Sequence, residues 1–264
     1  VTKVPRWPKD KFSDVEFELG PAMKSTGEAM SIGRTFEESL LKALRSSEYD
    51  PAVDWVDVDD GELETEYLER PTPDRPYAIF EAFDRGYTVE EIHELTGIYE
   101  WYLERFGRIA EAADAAKDGD CQTAAEAGFT NQEITAIAGG EFNDTHASWI
   151  PSEVYESEPD DEPTVETDGA GVAVDDVEAE TSSRTYKQVD TCAGEFRAST
   201  PYYYSAREPP TGRDTSEVQV DTDAKSVVVV GGGPIRIGQG VEFDYCAVHA
   251  VRALREIGID AHVV

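Results

Sequence analysis

Polar and apolar positions alternate at two different periods along the chain. Residues 1–12 read as a short strand followed by a loop. Residues 20–34 are punctuated by Gly20, Gly27 and Gly33 and read as a surface loop. A helix follows: Thr35 is a good N-cap, Glu38 stands at the capping-box spacing, and Leu40, Leu41 and Leu44 supply an apolar face. In the middle of the chain residues 82–97 recur 42 positions later as residues 124–139. Gly86 pairs with Gly128, Tyr87 with Phe129, Thr88 with Thr130, Glu91 with Glu133 and Ile92 with Ile134. The glycine predicts a left-handed helix end. Thr-x-x-Glu predicts a capping box, and the aromatic and isoleucine predict a hydrophobic staple across it. Gly97 and Gly139 stop the second helix, so each copy is helix, tight turn, helix.

Between the copies, residues 98–117 form a further helix. Ile98, Tyr102, Phe106, Ile109 and Ala113 make one apolar stripe widened by Trp101, and the expectation is helical core. Residues 78–149 thus read as an all-α domain of about five helices, entered through Pro71, Pro73 and Pro76. Near the end, Ser226-Val227-Val228-Val229-Val230 is a continuous β-branched run, the pattern of a buried parallel strand. A glycine loop follows, then an amphipathic helix over residues 243–257 with Ala247, Val248, Val251 and Leu254 apolar. Gly258 stops that helix, and a second strand begins at Ile259. This is β–loop–α–β, the opening of an open α/β sheet.

Charge divides this plan. The 264 residues carry 23 lysines and arginines against 56 aspartates and glutamates, a formal charge of −33. Such a chain is repelled by nucleic acid and by anionic membranes. No apolar run approaches the roughly 20 residues that span a bilayer. The N-terminus carries neither an initiator methionine nor a signal-peptide core. Residues 152–183 hold twelve carboxylates and no lysine or arginine, which predicts a solvated, disordered linker, with an acidic docking tail or weak cation sponge as the alternative. The remaining −21 is spread over the rest. Cys121, Cys192 and Cys246 lack metal-ligand spacing and read as reduced thiols in a cytoplasmic protein, Cys192 as a buried structural one.

The glycine loop fits neither common phosphate-binding signature. A GxGxxG beginning at Gly231 meets Arg236, and one beginning at Gly238 meets Phe243. A P-loop beginning at Gly233 reaches Gly238 but then meets Gln239-Gly240 instead of Lys-Ser/Thr. Arg236 is a lone cation, open to a structural ion pair or an anionic ligand. His93, His146, His249 and His262 share no ligand spacing and flank no nucleophile. The repeated units also have helix-turn-helix spacing, but their second helices carry Glu90, Glu91, Glu94 and Glu133 and no cation to meet phosphate.

Gly231 to Cys246, GGGPIRIGQGVEFDYC, continuing AVHAVRALRE, resembles the opening of the second synthetase half of the carbamoyl-phosphate synthase large-chain family. VTKVPRW and MKSTGEAMSIGRTFEESL resemble the end of its first ATP-grasp half. AIFEAFDRGYTVEEIHELTGI and EAGFTNQEITAIAGG resemble its helical oligomerisation domain, and TYKQVDTCAGEF the segment leading out of it.

The resemblance implies a mixed fold in five parts. They are an ATP-grasp tail (1–34), the all-α oligomerisation domain (35–150), the acidic insertion (151–185), a connecting segment (186–224) and the start of an α/β pre-ATP-grasp domain (225–264). It implies an ATP-dependent ligase that makes carbamoyl phosphate from bicarbonate, ammonia and two ATP through carboxyphosphate and carbamate, feeding arginine and pyrimidine biosynthesis. A glutaminase subunit supplies the ammonia. ATP, Mg2+ or Mn2+, and K+ as a further cation, belong to parts outside this stretch, and no catalytic residue carries over. The Arg236-Ile237-Gly238-Gln239-Gly240 loop faces the second active site in the family. Gly240 matches a position bordering its tunnel, where a side chain would narrow the passage; a tight turn would equally ask for glycine. A purely structural adaptor remains the bland alternative for the helical region. Eight lysines against 56 carboxylates point to a setting of high intracellular salt.

Overall fold

The computed structural model describes residues 1–9, 11–12, 15–47, 58–139, 184–192, 194–196, 199–207, 216–218, 224–231 and 242–264. Residues 151–183 of the acidic insertion and the loop carrying Arg236, Gly238, Gln239 and Gly240 lie outside the described residues, so the expectations placed on them stand as expectations; residues 184 and 185, expected as its end, belong to a strand pair instead.

The chain opens on an antiparallel pair, β1 (Thr2–Arg6) with β2 (Gly27–Ser31), in which Val4 faces Ala29. Residues 27–31 were expected as loop. They are strand because the β1 ladder and the burial of Ala29 outweigh the poor strand preference of glycine, glutamate and serine. Helix α1 (Phe36–Ser46) starts where the spacing put it, with the Thr35 side chain accepting from the Glu38 amide. Glu38 does not return the bond to Thr35. Its Oε2 accepts instead from the Arg34 amide at 2.7 Å, one residue earlier.

Next, α2 (Asp60–Glu62), capped by Asp59, runs into a π-helical turn (Leu63–Leu68) that buries Leu63 and Leu68. This element was not expected, for it shows only two apolar anchors and no helical stripe. Then come α3 (Arg75–Asp84), α4 (Val89–Thr96), α5 (Glu100–Lys117), α6 (Cys121–Ala127) and α7 (Asn131–Ile137). Ile79, Phe80, Ile92, Leu103, Ile109 and Ile134 are almost fully buried in one cluster shared by these helices and α1. Each such side chain contributes roughly 1.5–3 kcal/mol of transfer free energy.

The repeat folds twice in the same way. Gly86 and Gly128 both have positive φ, and the following amides, Tyr87 and Phe129, reach back to the Ala82 and Ala124 carbonyls. Thr88 with Glu91, and Thr130 with Glu133, form reciprocal capping boxes. One expectation for α5 is corrected. Trp101 and Tyr102 are 49% and 44% exposed, and Leu103 takes the core position. The stripe drifts off the core in the first turn of α5, where Trp101 and Tyr102 rest on Phe36 of α1 instead.

Beyond the helices, β3 (Arg184–Gln188) and β4 (Tyr203–Arg207) form an antiparallel hairpin that buries Thr185 and Ala206. It docks on the helical region through Lys42 Nζ, which donates to the Ser205 carbonyl, and through Arg207, which donates to Asn131 Oδ1 at 2.7 Å. Finally β5 (Ser226–Val229), α8 (Glu242–Glu256) and β6 (Asp260–Val263) make a βαβ unit with β5 and β6 parallel. The valines of this unit were expected to be buried, yet Val228 and Val230 are more than half exposed. A two-stranded sheet with one helix covers too little surface to bury them. Cys192, expected to be buried, sits half-buried in a turn capped by Asp190; Cys121 is buried and Cys246 exposed.

Candidate functional site

A groove of about 610 Å³ lies between the N-terminal end of α1, the first half of α5 and one flank of α6. Phe36 and Glu37 come from the first turn of α1; Trp101, Arg105 and Arg108 lie at helical spacing on α5; Glu126 stands on α6. An aromatic column leads into it from the core. Phe80 packs on Phe106 with ring centroids 4.9 Å apart, Phe106 on Phe36 at 6.5 Å, and Phe36 on Trp101 and Tyr102 at 5.6 and 5.7 Å. Trp101 and Tyr102 meet edge-on at 5.0 Å. The exposed rings are therefore held by buried ones.

Electrostatics shape the rest. The Arg105 guanidinium lies 5.0 Å from the Trp101 ring centroid, a cation–π contact. Its nearest carboxylate is Glu37 Oε1 at 3.6 Å, and the same oxygen is 3.7 Å from Arg108. Both distances exceed a good hydrogen bond. Arg105 Nε is buried without a hydrogen-bond partner among the described residues. Glu37 gains from its place in the first turn of α1, where helix amide groups favour a negative charge. The groove offers guanidinium donors, an aromatic face and a rim of both charge signs. It is equipped for binding, and nothing described in it pairs a nucleophile with a base.

The second copy of the repeat builds a different contact. Gly128 lies against α1 so closely that a Cβ there would stand 2.7 Å from the Glu38 Cα. Arg45 donates to both Glu133 carboxylate oxygens, at 3.1 and 2.9 Å, and to the Gly128 carbonyl at 3.1 Å. Glu133 thus closes its own capping box and anchors α1. Glu91 in the first copy has only the cap; the Thr88 amide, then its hydroxyl, hold its carboxyl below the ordinary range. Nearby, the Tyr87 hydroxyl donates to Glu64 at 2.8 Å, and this bond pushes its pKa up to about 12.

The residues singled out from the sequence are scattered. His93 Nδ1 bonds the Ile98 carbonyl at 2.7 Å and tethers the end of α4. His249 stacks on Tyr245 in α8, and His262 lies on β6. His146 is outside the described residues. Among the described residues no three His, Cys, Asp or Glu side chains stand together to hold a metal, so none is assigned to one. No described helix is long and apolar enough to cross a membrane. The groove itself was missed. Its signal was available as Trp101, Arg105 and Arg108 at helical spacing; Trp101 alone was singled out, and as core.

Comparison with known proteins matches two stretches of the chain to one family. Residues 28–148 match the model of the carbamoyl-phosphate synthetase large chain oligomerisation domain, and residues 223–264 that of the carbamoyl phosphate synthase preATP-grasp domain. The chain is 62% identical over all its 264 residues to the carbamoyl phosphate synthase large chain of Halobacterium salinarum, covering 22% of that protein. It is 41% identical to those of Methanoregula boonei and Methanosarcina acetivorans, again over its whole length and 22% of theirs. The chain therefore belongs to the carbamoyl-phosphate synthase large-chain family, and it spans about a fifth of the length of the curated relatives it matches.

Proposed function

We propose that this chain is a central stretch of a large subunit that makes carbamoyl phosphate from bicarbonate, ammonia and two ATP, through carboxyphosphate and carbamate. The observation that carries this reading is the unbroken similarity of all 264 residues to the Halobacterium salinarum large chain. Residues 1–34 are the end of the first ATP-grasp half, the helices join two synthetase halves and carry self-association, and β5–α8–β6 begins the second half. A separate glutaminase subunit supplies ammonia, and the whole works in the cytoplasm for arginine and pyrimidine biosynthesis. ATP and its Mg2+ or Mn2+, with K+ as a further cation, are held by parts outside this stretch. Residues 1–264 alone accordingly form no carbamoyl phosphate.

Within the stretch, Arg236, Gly238, Gln239 and Gly240 face the second active site, and Gly240 lines the passage between the two. In the full-length enzyme Gly240→Phe then leaves ATP hydrolysis in the first half intact while product formation falls. Counting ADP against carbamoyl phosphate checks it. A variant with normal rate and stoichiometry removes the passage role from Gly240.

A further inference from the structure

With 23 lysines and arginines against 56 carboxylates, cations are scarce in this chain, yet three of them close a triangle between α1, α7 and the β3–β4 hairpin. Arg45 of α1 donates to Glu133 of α7. Arg207 of β4 donates to Asn131 at the start of α7. Lys42 of α1 donates to the Ser205 carbonyl of β4. Apolar packing does little to hold the hairpin there. Among its described residues Ala206 is the one buried apolar side chain, while Tyr186 and Tyr203 are exposed. The burial of one methyl group docks a hairpin weakly, so its position depends on the polar ties.

Lys42 does more than close the triangle. Its ammonium has three donors. Besides the Ser205 carbonyl it reaches the Ile32 carbonyl at 3.2 Å and Glu38 Oε1 at 2.6 Å. The Tyr204 ring centroid lies 6.0 Å from the same nitrogen. The Glu38 side chain is only 5% exposed, and its other oxygen accepts from the Arg34 amide. Charge-assisted bonds in such surroundings are strong and strict in geometry. A buried carboxylate stripped of its cation is strongly unfavourable, so the pair holds or fails as a unit. Residue 32 belongs to the stretch that enters α1, and residue 205 to the segment that leads on to β5. One ammonium therefore ties the chain entering the helical region to the chain leaving it.

We infer that Lys42 is a positioning residue. Paired with Glu38, it fixes the entering and leaving chains against each other and so sets the alignment of the first synthetase half with the second. This rests on the proposed synthetase reading and gives the alignment of its halves a residue. The test uses the full-length large chain with ammonia, bicarbonate and ATP, as wild type, Glu38→Gln/Lys42→Met and Arg207→Met. The double variant removes both charges, so neither is left buried alone, and the glutamine carbonyl still accepts from Arg34. ATP hydrolysis supported by bicarbonate alone is expected to be unchanged, because the first half keeps its own site. Carbamoyl phosphate formation is expected to fall by about tenfold, the scale on which small misplacements far from the chemistry act. ADP per carbamoyl phosphate then rises above two. Arg207→Met is expected to show the same split in milder form, and it decides the matter alone if the double variant does not fold. If hydrolysis and product fall together, these ties only hold the fold, and the proposal fails. If the variants keep the wild-type rate and two ADP per product, the alignment does not depend on Lys42, although the synthetase reading stands. A wild type that forms no carbamoyl phosphate overturns that reading and the positioning role with it.

Discussion

Single residues in the repeat do unequal work although their sequences match. Gly86 and Gly128 both sit at positive φ, but a Cβ on Gly86 meets nothing within 4 Å, whereas on Gly128 it meets the α1 backbone. Gly86→Ala should cost about 1 kcal/mol of conformational strain. Gly128→Ala should cost clearly more, roughly 2–3 kcal/mol, because α1 must also shift. Urea unfolding of both variants measures the difference, and equal costs would remove the close approach from the account. Tyr87 gives a pH-dependent counterpart. Its folded pKa is pushed up to about 12, above the ordinary 10.0, so its stabilising effect is complete below pH 10 and lost as pH rises through 12. Tyr87→Phe should remove one phenol that ionises above the ordinary range in an ultraviolet titration. The glycine conformations were legible in the sequence, since helix-end signals are local. The Gly128 contact was not, because Glu38 lies 90 residues away.

At the level of elements, the two capping boxes formed as their spacing predicts. Thr88→Ala should cost the usual cap loss of about 1 kcal/mol. Thr130→Ala should cost more, because it loosens Glu133, which also receives both Arg45 bonds. Thermal unfolding of the pair checks this order. Acid acts in the same direction on the first box. The Glu91 carboxyl is held below its ordinary value, so the stability it lends is present above that value and fades as pH falls through the lower, folded one. Elements written in local patterns were readable: α1, α4, α6, α7 and the βαβ unit. The strand at Gly27–Ser31 and the π-helical turn were not, because long-range pairing with β1 and two buried leucines define them. The groove was half legible. Trp101 stood out by spacing while Arg105 and Arg108 did not, and a helical stripe does not say where along its length the core ends.

Across the whole molecule, the scarce cations are shared. Arg70 binds Glu16, Glu18 and Glu66; Arg85 binds Asp60 and Glu81; Lys117 binds Asp84 and Asp114. Such exposed pairs are individually weak, and 56 carboxylates outnumber 23 lysines and arginines. Self-repulsion therefore dominates, and screening relieves it. The unfolding midpoint should rise as potassium chloride goes from low to molar concentration; a higher midpoint in low salt would contradict this. The proposed function is that of a synthetase scaffold under this acidic surface. Its most direct test is the full-length large chain supplied with ammonia, bicarbonate and ATP, with carbamoyl phosphate and ADP counted together. The account predicts two ADP for each carbamoyl phosphate formed. ATP hydrolysis without carbamoyl phosphate, or no turnover in a folded protein at high salt, would contradict it.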